Sequence, residues 1–174
     1  MSTRVAINGF GRVGRGAFRA AFERDAEIDW AGINDVADVA MLAHLLKHDS
    51  VYGPFPTAVE AGDGFIRVDG IEIPVFNETD PTNLPWDVLD VEVVLEATGR
   101  FRSRGDAAKH LEAGARKVII SAPAKEPDAT SCSASTSTPT TPNCTTSFRA
   151  LPPRRTASRP LRRCCTRRSA SATA

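Results

Sequence analysis

The sequence predicts an α/β fold, doubly wound around a mostly parallel sheet, from three observations taken together. An apolar run, Val5-Ala6-Ile7, leads directly into Gly9-Phe10-Gly11-Arg12-Val13-Gly14. Val13, Ala17, Phe18, Ala21 and Phe22 then recur at helical spacing, and a second apolar run, Ile28 to Ile33, ends at Asn34-Asp35. Strand, glycine turn, helix and strand in that order make one βαβ unit, the repeating piece of a doubly wound sheet.

The first strand is apolar on consecutive positions, as in a parallel strand covered on both faces. The turn after it has the spacing G-x-G-x-x-G, a dinucleotide-binding fingerprint. Gly9 makes the tight turn, Gly11 lets backbone approach a pyrophosphate, and Gly14 lets the helix pack close to the strand. The N–H groups at that helix start lack intrahelical partners and carry partial positive charge, which suits a diphosphate. Asp35 lies 21 residues past Gly14, where the fold places an acid that accepts hydrogen bonds from the adenosine ribose. Its charge repels a 2′-phosphate, so NAD is favoured over NADP.

Further along, Asp38 to Lys47 reads as a helix with Val39, Leu42, Leu45 and Leu46 on one side. His44 and His48 stand four apart, but no Glu follows His44 and no third ligand is near, so they read as surface histidines and no metal site is expected. Phe65 to Val68 and Ile71 to Phe76 read as strands joined at Asp69-Gly70, a hairpin-turn pair. Residues 77–81 and 83–85 are turn material, and Trp86 reads as a core or hinge residue. Val91 to Glu96 is a strand ending at Ala97-Thr98-Gly99-Arg100-Phe101, which puts a hydroxyl and a glycine at the ligand-binding edge of the sheet. A helix over Gly105 to Ala113 follows, with Ser103 as its cap and Gly114 as its stop. Lys117 to Ser121 is another buried strand, and Ser121 places a second hydroxyl at the same edge.

The charge is uneven along the chain. Residues 1–130 hold 14 Lys and Arg against 21 Asp and Glu, a balance of −7, whereas residues 131–174 hold eight Arg and no acid, a balance of +8. From Ser131 onward there is no Val, Ile, Met, Tyr, Trp or Gly, so the tail is expected to be disordered and residues 1–130 to be the globular domain. All four cysteines, Cys132, Cys144, Cys164 and Cys165, lie in the tail without a zinc spacing. No signal peptide precedes the first strand and no apolar run approaches about 18 residues, so the domain is expected in the cytoplasm with no membrane partner.

Residues 1–130 resemble the start of the phosphorylating glyceraldehyde-3-phosphate dehydrogenases. The residues that carry the resemblance are Ile7-Asn-Gly-Phe-Gly-Arg-Val-Gly-Arg15, Ile33-Asn-Asp35, Lys47-His-Asp-Ser50 with Gly53, Glu96-Ala-Thr-Gly99 and Lys117-Val-Ile-Ile-Ser-Ala-Pro123. The resemblance implies that Arg12 and Val13 hold the pyrophosphate and Asp35 the adenosine ribose. It sets Phe101 near the adenine and puts Thr98, Gly99 and Ser121 along the path to the nicotinamide ribose. Thr79 stands where the family often has a basic residue. A homotetramer is also implied, with assembly contacts largely in a second domain.

The family's chemistry needs a cysteine in Ser-Cys-Thr-Thr-Asn-Cys and a histidine from that second domain; the sequence has no such run, so no catalytic residue is assigned. Pro142-Asn-Cys144-Thr-Thr-Ser147 is no substitute, because it follows Ser121 too closely and lacks an apolar helix after it. The tail reads as the product of a single-base deletion near Thr130, and loss of the strand that would follow is expected to leave the sheet incomplete at its C-terminal edge, beside Lys117–Ser121. Back-translated with G+C-rich codons and read one base earlier, Ser131 to Thr138 permits Val-Val-Leu-Gly-Val-Asn-Phe-Asp, and Arg154 to Ser171 permits an apolar helix opening on Thr-Thr-Asn-Cys. Of three readings, a complete dehydrogenase lacks its nucleophile, and a nucleotide-binding domain with a basic tail for nucleic acid or other anions has Phe148 as that tail's only aromatic. The favoured reading is a cofactor-binding part that is catalytically incomplete as written.

Overall fold

The computed structural model describes residues 2–125, together with the backbone of residues 129–133 and 143–149. Strand β1 (Thr3–Asn8) runs into helix α1 (Arg12–Glu23), and β2 (Ile28–Asn34) into α2 (Val39–Lys47). Two short strands, β3 (His48–Asp49) and β4 (Gly53–Pro54), pair antiparallel about a turn in which the Asp49 carboxylate accepts from the amides of Val51 and Tyr52. Then come β5 (Val59–Ala61), β6 (Phe65–Val68) and β7 (Ile71–Phe76), a turn of 3-10 helix at Pro81–Asn83, and β8 (Val93–Glu96). Helix α3 (Arg104–Glu112), β9 (Lys117–Ile120), β10 (Ala129–Ser133) and β11 (Asn143–Arg149) complete the order.

The main sheet has the order β10-β11-β9-β8-β1-β2-β7-β6-β5. Its centre, from β9 to β7, is parallel throughout, and the antiparallel pairs lie at the two ends. The doubly wound α/β expectation is met. Between β1 and β2 the register slips once, where Val5 pairs with Trp30 and Ala6 with Gly32. The β6–β7 hairpin turns at Asp69 and Gly70, both at positive φ (53° and 80°), the geometry that two-residue hairpin loops require.

Period-2 alternation sends Ala6 and Ile7 of β1 to opposite faces, and the extra residue at the register slip of β2 does the same for Ala31 and Ile33. On one face Ile7 and Ile33 pack with Phe18 of α1 and Leu42 and Leu46 of α2; on the other, Ala6, Ala31 and Val94 pack with Trp86, Ala113 and Ala115. The small side chains of Ala6 and Ala31 leave room for the indole, which is fully buried, so the core role expected of Trp86 is observed. Phe18 is the hub of the first face. Its ring lies within 4.8–6.3 Å of the rings of Phe10, Phe22, Trp30 and Phe55.

Two expectations need correction. Val13 is 54% exposed and takes no part in the apolar face of α1, because the helix turns that position toward the solvent beside the glycine turn. The edge beside Lys117–Ser121 is not bare either. Backbone of the tail supplies β11, which pairs antiparallel with β9 from Thr146 opposite Ile120 to Arg149 opposite Lys117, and β10 pairs in turn with β11. Strand pairing satisfies backbone groups whatever the side chains, so a Ser/Thr-rich segment can fill a place next to an apolar strand. Cys132 and Cys144 fall in these two strands; Cys164, Cys165 and the remaining tail positions lie outside the described residues, and the expectation of disorder for them lies outside with them.

Candidate functional site

The strand ends of β1, β2 and β8 meet at one edge of the sheet, and the glycine turn closes over it. Gly9 has φ of +91°, and a Cβ there would lie 2.6 Å from the Thr98 amide nitrogen, so the turn and the loop after β8 touch backbone to backbone. Gly14 is as tightly held: a Cβ would stand 2.2 Å from the Gly9 carbonyl oxygen. Gly11 differs, with nothing within 4 Å of where its Cβ would be. It is the N-cap of α1, no side chain caps the helix, and no acid stands in the first turn. The first amides of α1 therefore open on clear space with Arg12 beside them, an arrangement that fits a diphosphate.

Asp35 braces the turn from the end of β2. Its Oδ2 accepts from the Phe10 amide at 2.7 Å and its Oδ1 from the Ala37 amide at 3.0 Å. Each oxygen keeps a free lone pair, and the carboxylate lines a cleft of about 230 Å³ together with Gly9, Gly11, Val36, Thr79, Thr98 and Phe101. A second, wider cleft of about 820 Å³ lies on the other side of the turn, bounded by Arg12, Val13, Arg15, His48, Tyr52 and Ser121. Thr98 and Phe101 thus share a cleft with Asp35, and Ser121 stands apart from them.

The other candidates fall behind this front. The Phe10 ring is fully buried against Phe18, so only its backbone faces the turn. Asn34 is buried as well; its side chain donates to Asn8 Oδ1 (2.7 Å) and the Glu78 carbonyl (2.9 Å) and accepts from the Glu78 amide (2.8 Å), which holds the wall carrying Thr79. Gly99 is exposed at φ of +71° beyond β8. His44 and His48 are exposed as expected, their rings 4.8 Å apart.

Several supporting residues escaped the sequence reading. Arg15 is buried and donates to the Phe10 carbonyl at 2.8 Å; burial lowers its pKa, and the nearby carboxylates of Asp49 and Asp35 oppose that shift. Arg19 donates to the carbonyls of Leu46 (2.6 Å) and Gly53 (2.9 Å), with its guanidinium 5.2 Å from the Phe55 ring, and so fastens α1 to the end of α2. Asp49 is held below its ordinary pKa by the amides of Tyr52 and Val51. Behind the turn, Asn8, Glu96, His110 and Trp86 form a buried polar chain. Glu96 could have been suspected: a charged residue closing an apolar strand is rarely fully buried unless it is paired.

A parallel doubly wound sheet, a glycine turn onto an uncapped helix and an acid at the end of the second strand define a dinucleotide-binding domain. The domain is of a particular kind. The family model described as "Glyceraldehyde 3-phosphate dehydrogenase, NAD binding domain" matches residues 3–104, and the chain belongs to this family. It is 53% identical over 130 residues to a glyceraldehyde-3-phosphate dehydrogenase of Geobacillus stearothermophilus, covering 75% of this chain and 38% of that protein. Over 128 residues it is 55% identical to one of Thermotoga maritima (73% and 38%), and over 130 residues 48% identical to one of Streptomyces coelicolor (75% and 39%). The chain thus matches less than two fifths of the length of these relatives. Its cofactor is NAD. Among the described residues, no helix is long and apolar enough to cross a membrane.

Proposed function

We propose that NAD lies across the glycine turn, its adenosine in the smaller cleft and its nicotinamide end toward the wider one. Asp35 accepts from the adenosine ribose hydroxyls with the lone pairs that Phe10 and Ala37 leave free. Phe101, Thr79 and Thr98 line the adenosine side, with Gly99 and Asn34 shaping its walls. The pyrophosphate rests on the first amides of α1, where Arg12 adds charge and Gly11 offers no side chain to obstruct it. Val13 and Ser121 border the nicotinamide side. When bound, the nicotinamide accepts a hydride, and the residues described here bind and orient it.

For the whole protein we propose the family's reaction, NAD-dependent oxidation and phosphorylation of glyceraldehyde 3-phosphate, in a cytoplasmic homotetramer. Residues 1–130 contribute the cofactor half, and no catalytic residue is assigned within them. The observation that carries the reading is the uncapped start of α1 facing the carboxylate of Asp35 across a glycine turn. Calorimetric titration of the full chain tests it. NAD is expected to bind and NADP to bind at least roughly tenfold more weakly, since Asp35 repels the 2′-phosphate. In Asp35→Ala the difference is expected to shrink. Indifference of the folded chain to NAD would overturn the proposal.

A further inference from the structure

Glu96 is 1% exposed at the end of β8 and does not line either cleft, yet its carboxylate is surrounded by donors. Oε2 accepts from Asn8 Nδ2 at 2.5 Å and faces His110 Nε2 at 3.1 Å. Oε1 accepts from the Thr98 amide at 2.9 Å and from the Thr98 hydroxyl. The proton on the imidazole follows from its other side. Trp86 Nε1 can only donate, and it donates to His110 Nδ1 at 3.2 Å, so the hydrogen of His110 is on Nε2 and points at Glu96.

Each of these partners reaches the cofactor edge. Thr98 is the residue that packs against Gly9, and Asn8 links β1 to Asn34 and through it to the wall at Glu78. His110 meets the Phe101 ring edge to face, with centroids 6.4 Å apart at 89°. Fully satisfied buried polar networks specify one arrangement, because a partly satisfied alternative leaves a donor stranded in a low-dielectric interior. We infer that Glu96 and His110 are positioning residues for NAD, holding Thr98 and Phe101 at the adenosine cleft and setting the spacing between Gly9 and the loop after β8. This rests on the reading that the dinucleotide occupies that cleft.

Glu96→Gln keeps the shape but replaces one acceptor oxygen with a donor amide. Whichever way the amide turns, it meets a donor that cannot reverse: the Thr98 backbone amide on one side, or Asn8 and His110 on the other. His110→Gln can still donate to Glu96 and accept from Trp86, whereas His110→Leu can do neither. Calorimetry with NAD on the full chain, below the melting temperature of each variant, separates these cases. Glu96→Gln is expected to weaken NAD binding about tenfold or more, and His110→Leu about fivefold, while His110→Gln stays within roughly threefold of the wild type. Should Glu96→Gln fail to fold, the two His110 variants carry the test. A wild-type chain indifferent to NAD would overturn the reading of the cleft and this inference with it. Wild-type binding matched by His110→Leu and by any folded Glu96→Gln would overturn the inference alone. Equal losses in His110→Gln and His110→Leu would remove the hydrogen-bonding role of His110.

Discussion

Two helix starts in this domain face the same physical problem and solve it in opposite ways. The first amides of any helix lack intrahelical acceptors. At α3 the sequence closes them off: the Ser103 hydroxyl accepts from the Asp106 amide at 3.2 Å, and the Asp106 carboxylate accepts from the Ser103 amide at 3.2 Å and from its hydroxyl at 2.6 Å. At α1 the N-cap is Gly11, no side chain closes the helix, and no acid stands in the first turn. One start is finished within the chain and the other is open, where the proposed NAD pyrophosphate rests. On that proposal, the difference separates a helix that serves the fold from one that also serves a ligand.

Gly9→Ala should give the largest effect. The residue sits at φ of +91° and its new methyl would fall 2.6 Å from the Thr98 nitrogen, backbone that cannot swing aside. A loss of about 3 kcal/mol or more is expected, together with loss of NAD binding, read by chemical denaturation and calorimetry. Unchanged stability would show that the turn is not held against Thr98 as described.

Gly11→Asp breaks the contrast itself by giving α1 the cap it lacks. The site has clear space for a side chain and extended backbone (φ −71°, ψ −161°), so a gain of up to about 1 kcal/mol is expected as the carboxylate takes up the free amides. NAD affinity should fall by at least roughly tenfold, because the same carboxylate occupies and repels the pyrophosphate position. A variant that is more stable and binds NAD undiminished would separate α1 from the cofactor.

Ser103→Ala should have the smallest effect, about 1 kcal/mol of stability and no change in NAD affinity. Its pH dependence sharpens the comparison. The Ser103 hydroxyl holds the Asp106 carboxyl below its ordinary pKa, so this contribution is present above the unfolded value of about 3.9 and is lost as the pH falls through the lower folded value. The stability gap between wild type and Ser103→Ala should therefore narrow in acid without closing, because the bond from the Asp106 amide to the Ser103 hydroxyl does not titrate. A gap unchanged below about pH 3 would argue against the reciprocal cap.

Much of this was legible in advance because local signals and the global fold agree. The capping of α3, the Asp69-Gly70 turn, the burial of Trp86 and the strands of four or more residues up to β9 follow from residue types whose preferred conformations are the ones adopted. The short strands β3, β4 and β5 were not legible, since two or three residues carry no periodicity. Val13 misled because an apolar residue at helical spacing is indistinguishable from a core residue until the helix is docked. At β9, tail backbone filled an edge that side-chain composition had left open.

By itself the sequence determined the order of strands and helices, the glycine turn, and Asp35 as the acid beside it, because each depends on the conformational preferences of a few adjacent residues. Tertiary structure alone decided which clefts Thr98, Phe101 and Ser121 line, how Arg15 and Arg19 brace α1, and that Asn8, Glu96, His110 and Trp86 form one buried chain. Those contacts join residues up to 88 positions apart. A buried donor's choice of acceptor is set by where the folded sheet brings the two together, and no local stretch of sequence encodes that distance.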